Sequence, residues 1–174
     1  MFKELNTLKI FLENPTKGFS VRESARILKK APATISKELK KFAKQNILQE
    51  QKIRGSNIYK ANLDSELFRD IKIFYTITKI KQSKLIESLN QFYGKPTIIL
   101  FGSGAHGLDT ETSDYDLVII SEKRQEFPEK NKYEKLLKKE LNIFLVKSLK
   151  NLKNDHLVNS VLNGTVLQGE IKWI

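Results

Sequence analysis

The chain has 174 residues, a formal net charge of +11 at pH 7 and no cysteine. The lack of cysteine excludes disulfide bridges and thiolate metal sites, which makes a cytoplasmic protein the expectation. No apolar run reaches the roughly 18 residues of a membrane span. The first residues also lack the apolar core of a secretory signal, so neither a membrane location nor export is predicted.

The excess positive charge is concentrated in residues 1–62. This segment carries 14 Lys and Arg against 5 Asp and Glu, a net charge of +9, whereas residues 63–174 carry 17 against 15, a net charge of +2. Each cation that neutralises a phosphate releases a condensed counterion, so a polyanion is the natural partner of such a segment. A lysine-rich solvated surface is the alternative, and charge alone favours neither.

Three helices are predicted in this basic segment. Apolar residues at helical spacing predict the first over residues 2–12, and Ser20-Val21-Arg22-Glu23 is a capping box that begins the second. Lys29-Lys30-Ala31 forms a turn, and Pro32 suits the first position of a third helix over residues 32–45. The apolar face of this third helix is formed by Ile35, Leu39 and Phe42.

A β-hairpin is predicted at the end of the basic segment, with strands over residues 47–53 and 57–61 around Arg54-Gly55-Ser56-Asn57. The order of elements over residues 1–62 resembles the winged helix-turn-helix family. The resemblance implies that the third helix enters the major groove of double-stranded DNA and that the hairpin contacts the adjacent backbone. A protein-binding module is the alternative. The predicted DNA-binding residues are Thr34, Ser36, Lys37, Lys40, Lys41, Lys44, Lys52 and Arg54.

Residues 63–94 are predicted to connect two domains, residues 1–62 and 95–174, through one long helix or two. Two apolar stripes at helical spacing support this prediction, and Gly94 ends the helical pattern. The first stripe consists of Leu67, Ile71, Phe74 and Thr78, and the second of Leu85, Leu89 and Phe92.

Residues 97–120 carry the side chains best suited to chemistry. Residues 97–101 and 117–120 are apolar runs typical of buried strands, and a glycine-rich turn follows the first run. Asp114 and Asp116 are two residues apart on an extended segment, so their side chains should project from the same face. Two carboxylates at the end of a buried strand suit the binding of one or two Mg²⁺ ions.

The glycine-rich turn is suited to phosphate. Gly102 lets the backbone approach a phosphate closely, and Ser103 offers a hydroxyl and an N–H at the expected start of a helix. The two loops together could hold a metal–triphosphate, so that a hydroxyl attacks the α-phosphorus and pyrophosphate leaves.

One pattern in this segment consists of Gly102-Ser103, then ten residues, then Asp114-x-Asp116. It resembles the signature of the DNA polymerase β-like nucleotidyltransferases, in particular the minimal nucleotidyltransferases of bacteria and archaea. The resemblance is specific over residues 97–120 and looser over 64–174. It implies an α+β protein whose second domain is a small mixed sheet flanked by helices. It also implies Asp114 and Asp116 as catalytic, Mg²⁺-binding residues. The predicted nucleotide-binding residues are Gly102, Ser103, Gly107 and Ser113.

Two positions depart from the family's pattern. The family usually has a third carboxylate on a later strand, predicted here over residues 141–146, where Asn142 occupies the expected position. An amide is a poorer ligand for a hard cation and is not a base, although Glu140, on the same strand face, could substitute. His106 lies where relatives often have Arg. Its side chain is expected either to contact a phosphate or to be an exposed loop residue, and the sequence does not choose between these two roles.

Other charged residues near this segment are expected to be solvated. Asp109 and Glu111 are interpreted as exposed acids of the loop before Ser113. The lysine-rich run over residues 130–139 is interpreted as a solvated helix face. The apolar residues beneath that face are predicted to be Tyr133, Leu136 and Leu137.

The resemblances leave two main functions open. One is a Mg²⁺-dependent enzyme that transfers AMP from ATP to a hydroxyl acceptor, which could lie on a separate protein as for antitoxin-like relatives. The other is a DNA-binding transcriptional regulator whose nucleotidyltransferase-like domain is weak or inactive and serves nucleotide sensing or assembly. A scaffold with both motifs vestigial is a third hypothesis. Winged-helix regulators often dimerise, so a homodimer is also open.

Overall fold

The structure is a computed structural model that describes residues 2–152 and 154–171. These residues form seven α-helices and two separate β-sheets. The chain divides into two units, Met1–Lys72 and Ile73–Ile174. The division falls within the segment predicted to connect the domains, and the domain limits given by the sequence stay a prediction. No described helix is both long enough and apolar enough to cross a membrane.

The first unit begins with three helices whose ends follow from local sequence. The predicted capping box is confirmed: Ser20 Oγ accepts from the Glu23 N–H at 3.2 Å, and Glu23 Oε2 accepts from the Ser20 N–H at 2.8 Å. The second helix ends at Lys29, which adopts a left-handed conformation, and the third starts with Pro32 at its first turn. The helices are α1 (Phe2–Glu13), α2 (Val21–Leu28) and α3 (Pro32–Lys44).

A three-stranded antiparallel sheet completes the first unit, in the order β1-β3-β2. The hairpin loop has only two residues, Arg54 and Gly55, both with positive φ, as tight hairpin turns require. The predicted four-residue turn was therefore too long. The sequence also missed β1, because two residues show no periodicity. The strands are β1 (Phe19–Ser20), β2 (Leu48–Ile53) and β3 (Ser56–Ala61).

Two helices follow, α4 (Glu66–Gln82) and α5 (Leu85–Tyr93). The second predicted stripe is largely confirmed, since Leu85 and Leu89 are fully buried. The residues of the first stripe do not form the buried face of α4, because Leu67 and Phe74 are about half exposed, at 48% and 49%. The buried positions of α4 lie on a neighbouring face of the helix. They are Phe68, Lys72, Thr76 and Ile80.

Lys72 shows why the buried face of α4 does not follow the apolar spacing. Its side chain is buried, and its Nζ donates to the backbone carbonyl of Leu12 at 2.8 Å. A buried ammonium group is tolerated when such a partner is present. Since α4 has apolar residues on every side, its hydrophobic pattern does not single out the inner face.

The second unit is built on a four-stranded mixed sheet in the order β6-β5-β4-β7. Strands β5 and β6 are parallel, whereas β4 is antiparallel to both β5 and β7. The predicted small mixed sheet is therefore confirmed. The strands are β4 (Thr97–Phe101), β5 (Tyr115–Ile120), β6 (Leu141–Val146) and β7 (Thr165–Gln168).

Helices cover both faces of this sheet. Alternate residues of each strand point to opposite sides. Ile98 and Leu100 pack in one cluster with residues of α5 and of α6 (Lys130–Leu137). Ile99 and Val118 pack in another cluster with Val161 of α7 (Asp155–Leu162). Both central strands are thus fixed in the core, and this holds the polar residues at their ends in place.

Candidate active site

Three polar side chains meet at the start of β5 and β6. The amide nitrogen of Asn142 donates to Asp114 Oδ2 at 3.1 Å and to Asp116 Oδ1 at 3.0 Å. All three residues are partly exposed. One amide group reaches both carboxylates, so Asp114 and Asp116 project on the same side of the sheet.

The parallel pairing of β5 with β6 brings these residues together. Asp116 lies directly opposite Asn142 in the register, and the Tyr115 N–H donates to the Glu140 carbonyl at 2.9 Å. Parallel strands that start at the same edge present their first side chains side by side. Asn142 thus occupies the place that the sequence assigned to a third carboxylate.

The backbone of Gly102 packs against Asp116. Gly102 has a φ of +68°, and a Cβ built there would lie 2.5 Å from Asp116 Oδ2. A side chain at this position would force the Asp116 carboxylate to move, and the left-handed φ also favours glycine. The expected helix start at Ser103 is instead a five-residue 3₁₀ turn, Gly102–His106.

The other predicted nucleotide-binding residues shape the two loops. Gly107 is left-handed and donates its N–H to the Ser103 carbonyl, which closes the 3₁₀ turn. Ser113 Oγ accepts from the Thr110 N–H at 2.9 Å and so closes the turn that precedes Asp114. Ser103 is partly exposed at the site. The role of these residues in binding a nucleotide stays a prediction.

Residues 82–166 match the nucleotidyltransferase domain family. The matched range includes the glycine-rich turn, both aspartates and Asn142. A solved structure described as a possible transcriptional regulator from Methanosarcina mazei Go1 is 25% identical in sequence. That similarity covers 53% of this chain and 78% of the other, with a TM-score of 0.35. No curated protein has a significantly similar sequence.

A buried ion pair supports the loop of the second unit that leads to Asp114. Asp109 Oδ2 lies 3.5 Å from Lys139 Nζ, and the two side chains are only 1% and 8% exposed. Lys139 Nζ also donates to the Thr110 carbonyl and lies 5.6 Å from the centre of the Tyr115 ring. The interpretation of Asp109 as an exposed acid was therefore wrong. The pair ties the loop before β5 to the turn before β6.

The lysine-rich run also differs from its interpretation as a uniformly solvated face. Tyr133 and Leu137 are buried as predicted, but Leu136 is 57% exposed. Lys139 lies beyond the end of α6, where the chain turns inward. A run of lysines in the sequence gives no signal that distinguishes the buried member from its neighbours.

Glu140 does not complete a group of three carboxylates. It precedes β6 and is exposed, and it lines an open cleft of about 510 Å³ together with Asp114. Among the described residues, no three His, Asp or Glu side chains are placed to hold a metal ion together. His106 is exposed at the end of the 3₁₀ turn.

The donor set at the start of β5 and β6 fits one divalent cation better than two. Asp114 and Asp116 offer the carboxylate oxygens that Mg²⁺ prefers. The third member, Asn142, directs its amide hydrogens at those oxygens and carries no negative charge. The two aspartates would hold the cation, which would neutralise charge on a bound triphosphate.

An aromatic pair that the sequence did not indicate lies near these residues. Phe144, two residues after Asn142 on the same side of β6, is 38% exposed. It contacts the buried Phe101 edge to face, with ring centres 5.5 Å apart. An exposed aromatic ring therefore lies on the strand that carries Asn142.

The predicted DNA-binding residues lie on the outer side of the first unit. Ile35, Leu39 and Phe42 are buried, as predicted. Glu38 is the only acid of α3. Its Oε2 accepts a hydrogen bond from the Thr7 hydroxyl and forms an ion pair with Lys30, whose Nζ lies 3.3 Å away. Ser36 is partly exposed and the other predicted contacts are exposed. These are Thr34, Lys37, Lys40, Lys41, Lys44, Lys52 and Arg54.

Proposed function

We propose that the nucleotidyltransferase domain binds a nucleoside triphosphate, ATP by family resemblance, with Mg²⁺ and transfers its nucleoside monophosphate to a hydroxyl acceptor. The observation that carries this proposal is the placement of Asp114 and Asp116 at the start of the buried strand β5, with the backbone of Gly102 against Asp116. Carboxylates beside a glycine-rich turn suit a metal–triphosphate.

Each residue has a distinct part in the proposed reaction. Asp114 and Asp116 hold the cation, while the turn from Gly102 to Gly107 receives the phosphates. The acceptor oxygen forms a bond to the α-phosphorus, and the bond from the α-phosphorus to the bridging oxygen of pyrophosphate breaks. Asn142 is not a base, so the acceptor's proton leaves to water or to a phosphate oxygen.

A second candidate is a regulator in which this domain binds a nucleotide without turnover. Asn142 favours it, because the family's third carboxylate is replaced by a neutral amide that hydrogen-bonds both aspartates. Nucleotide binding is common to both candidates, and transfer separates them. In the first candidate the acceptor could be a hydroxyl of a separate protein.

In both candidates the first unit acts as a winged helix-turn-helix that binds double-stranded DNA. Support comes from α3, whose apolar side is buried and whose outer side carries four exposed lysines. Lys52 and Arg54 extend the positive charge along the hairpin. Such a surface would contact phosphates over a groove, and a homodimer would read two half-sites.

Calorimetric titration of ATP, with and without Mg²⁺, tests the first candidate. We expect Mg²⁺-dependent binding that Asp114→Ala abolishes. Glu126→Ala, which removes an exposed acid of the same domain, should leave binding intact. Transfer is then followed with ATP labelled at the α-phosphate. Failure of every nucleotide to bind would exclude the enzyme and leave DNA binding as the function to pursue.

A further inference from the structure

A single amide group links the two carboxylates of the candidate site. Its two hydrogens go to different acceptors, Asp114 Oδ2 at 3.1 Å and Asp116 Oδ1 at 3.0 Å. Carboxylates only accept hydrogen bonds, so the nitrogen of the Asn142 amide has to face them. Both bonds are made to charged acceptors, which makes them stronger than bonds between neutral groups.

The amide nitrogen of Asn142 therefore occupies the position between the two carboxylates where a shared cation would lie. A divalent cation shared by Asp114 and Asp116 would use the oxygen lone pairs that now accept from Asn142. The amide hydrogens offset the repulsion between the two carboxylates, as a cation would, but without a full charge. A shared cation can therefore enter only when the amide turns to present Oδ1 or moves aside.

We infer that Asn142 acts as a clasp that holds Asp114 and Asp116 together in the metal-free domain and limits the site to one divalent cation. The inference rests on the proposed function, because the single cation is the one that accompanies the triphosphate. A third carboxylate would supply the negative charge that a second cation needs. Asn142 is neutral and does not supply this charge. Asn142 is thus a positioning residue that also determines metal number.

The substitution Asn142→Asp tests this role directly. It would put three carboxylates side by side, which repel one another without metal and attract divalent cations strongly. The affinity of a hard cation increases with the number of charged ligands, so we expect Mg²⁺ to bind roughly ten-fold more tightly than in the natural chain. The melting temperature should fall without Mg²⁺ and recover when Mg²⁺ is added.

Two further variants separate the clasp from general effects. Asn142→Ala removes both hydrogen bonds but adds no charge, so it should lower the metal-free melting temperature and still admit one cation. Asn159→Asp makes the same chemical change at an exposed position of α7 and should behave as the natural chain does. A merely structural role for Asn142 would lower stability in both Asn142 variants and leave metal number unchanged.

The experiment counts Mn²⁺ ions bound to the full chain by electron paramagnetic resonance, with and without a non-hydrolysable ATP analogue. Thermal unfolding with and without Mg²⁺ is recorded beside it. We expect one Mn²⁺ with the analogue in the natural chain and two in Asn142→Asp. Two Mn²⁺ ions bound to the natural chain would overturn the inference. It would also be overturned if Asn142→Asp bound one Mn²⁺ ion and its melting temperature responded to Mg²⁺ as that of the natural chain does.

The nucleotide-free measurements keep this result separate from the proposed function. If Asn142→Asp gains its Mg²⁺ response while no variant binds the analogue, the clasp is supported and the proposed nucleotide binding fails. If the analogue binds to every variant while the Mg²⁺ response and the metal number do not change, the clasp is overturned and nucleotide binding remains.

Discussion

Gly102 and Asp116 are so close that a side chain at position 102 would displace the carboxylate: a Cβ there would lie 2.5 Å from Asp116 Oδ2. The two residues are on different strand ends, and the pairing of Phe101 with Asp116 brings them together. The glycine-rich turn and the aspartate pair therefore form one structural unit, in which a change to the turn changes the geometry of the acid.

The first prediction concerns Gly102→Ala. We expect loss of Mg²⁺-dependent ATP binding, because Asp116 is pushed from its position. We also expect a decrease of about 1 kcal/mol in the free energy of unfolding, since alanine is strained at a φ of +68°. Calorimetry and urea denaturation measure the two effects.

Gly94→Ala is the matched control for this prediction. Gly94 has a φ of +74°, but a Cβ there would have no neighbouring atom within 4 Å. This variant should lose similar stability and keep its ATP binding. Equal ATP binding by the two variants would show that the contact with Asp116 has no functional consequence.

The second prediction concerns the buried pair of Asp109 and Lys139. Lys139→Met removes an ammonium group that lies beside a buried carboxylate, which should lower the free energy of unfolding by about 3–5 kcal/mol. Lys138→Met, at the exposed neighbouring position, should change stability by less than about 1 kcal/mol. Urea denaturation gives both values.

The double variant Asp109→Asn with Lys139→Met refines this prediction. If the two side chains act as a pair, the double variant should be less destabilised than the sum of the single variants. Additive losses would mean that each residue contributes to stability independently of the other.

Strands and caps were predictable where the local sequence alone decides the structure. Residues 97–101 and 141–146 are runs of mostly apolar residues bounded by polar or turn-forming residues, and they form strands with those limits. Asp114 and Asp116 were also found correctly on one face, because the side chains of a strand alternate with a period of two.

Tertiary contacts decided the features that were missed. Lys138 and Lys139 are indistinguishable in the sequence, yet one is exposed and the other is buried against Asp109. The buried face of α4 includes Lys72, which a hydrophobic pattern cannot select. The Asn142 position was predictable, but its two hydrogen bonds were not, because they depend on the register of β5 with β6.

The third prediction concerns DNA. Replacement of Lys37, Lys40 and Lys41 by alanine should weaken binding to duplex DNA and reduce the slope of log K against log salt by up to about 3. Fluorescence anisotropy at several salt concentrations measures this slope. Replacement of Lys81, Lys135 and Lys150, which are exposed elsewhere in the chain, removes the same charge and should have a smaller effect. Equal effects of the two triple variants would exclude α3 as the recognition helix.

The fourth prediction concerns stability at alkaline pH. Burial, followed by the hydrogen bond that Tyr59 donates to Glu50 at 2.8 Å, raises the pKa of Tyr59 to about 12. The unfolded chain ionises this hydroxyl near its ordinary pKa of 10. The stabilisation is therefore fully present below pH 10 and is lost as the pH rises towards 12.

Tyr59→Phe isolates this contribution. Phenylalanine cannot ionise, so the variant should lose less of its free energy of unfolding between pH 9 and 11.5 than the natural chain does. Two pKa units correspond to a difference of at most about 3 kcal/mol. Urea denaturation followed by circular dichroism across this pH range gives the comparison, and the other tyrosines and the lysines contribute equally to both chains. Parallel pH profiles would mean that the hydroxyl of Tyr59 ionises as readily in the folded protein as in the unfolded chain.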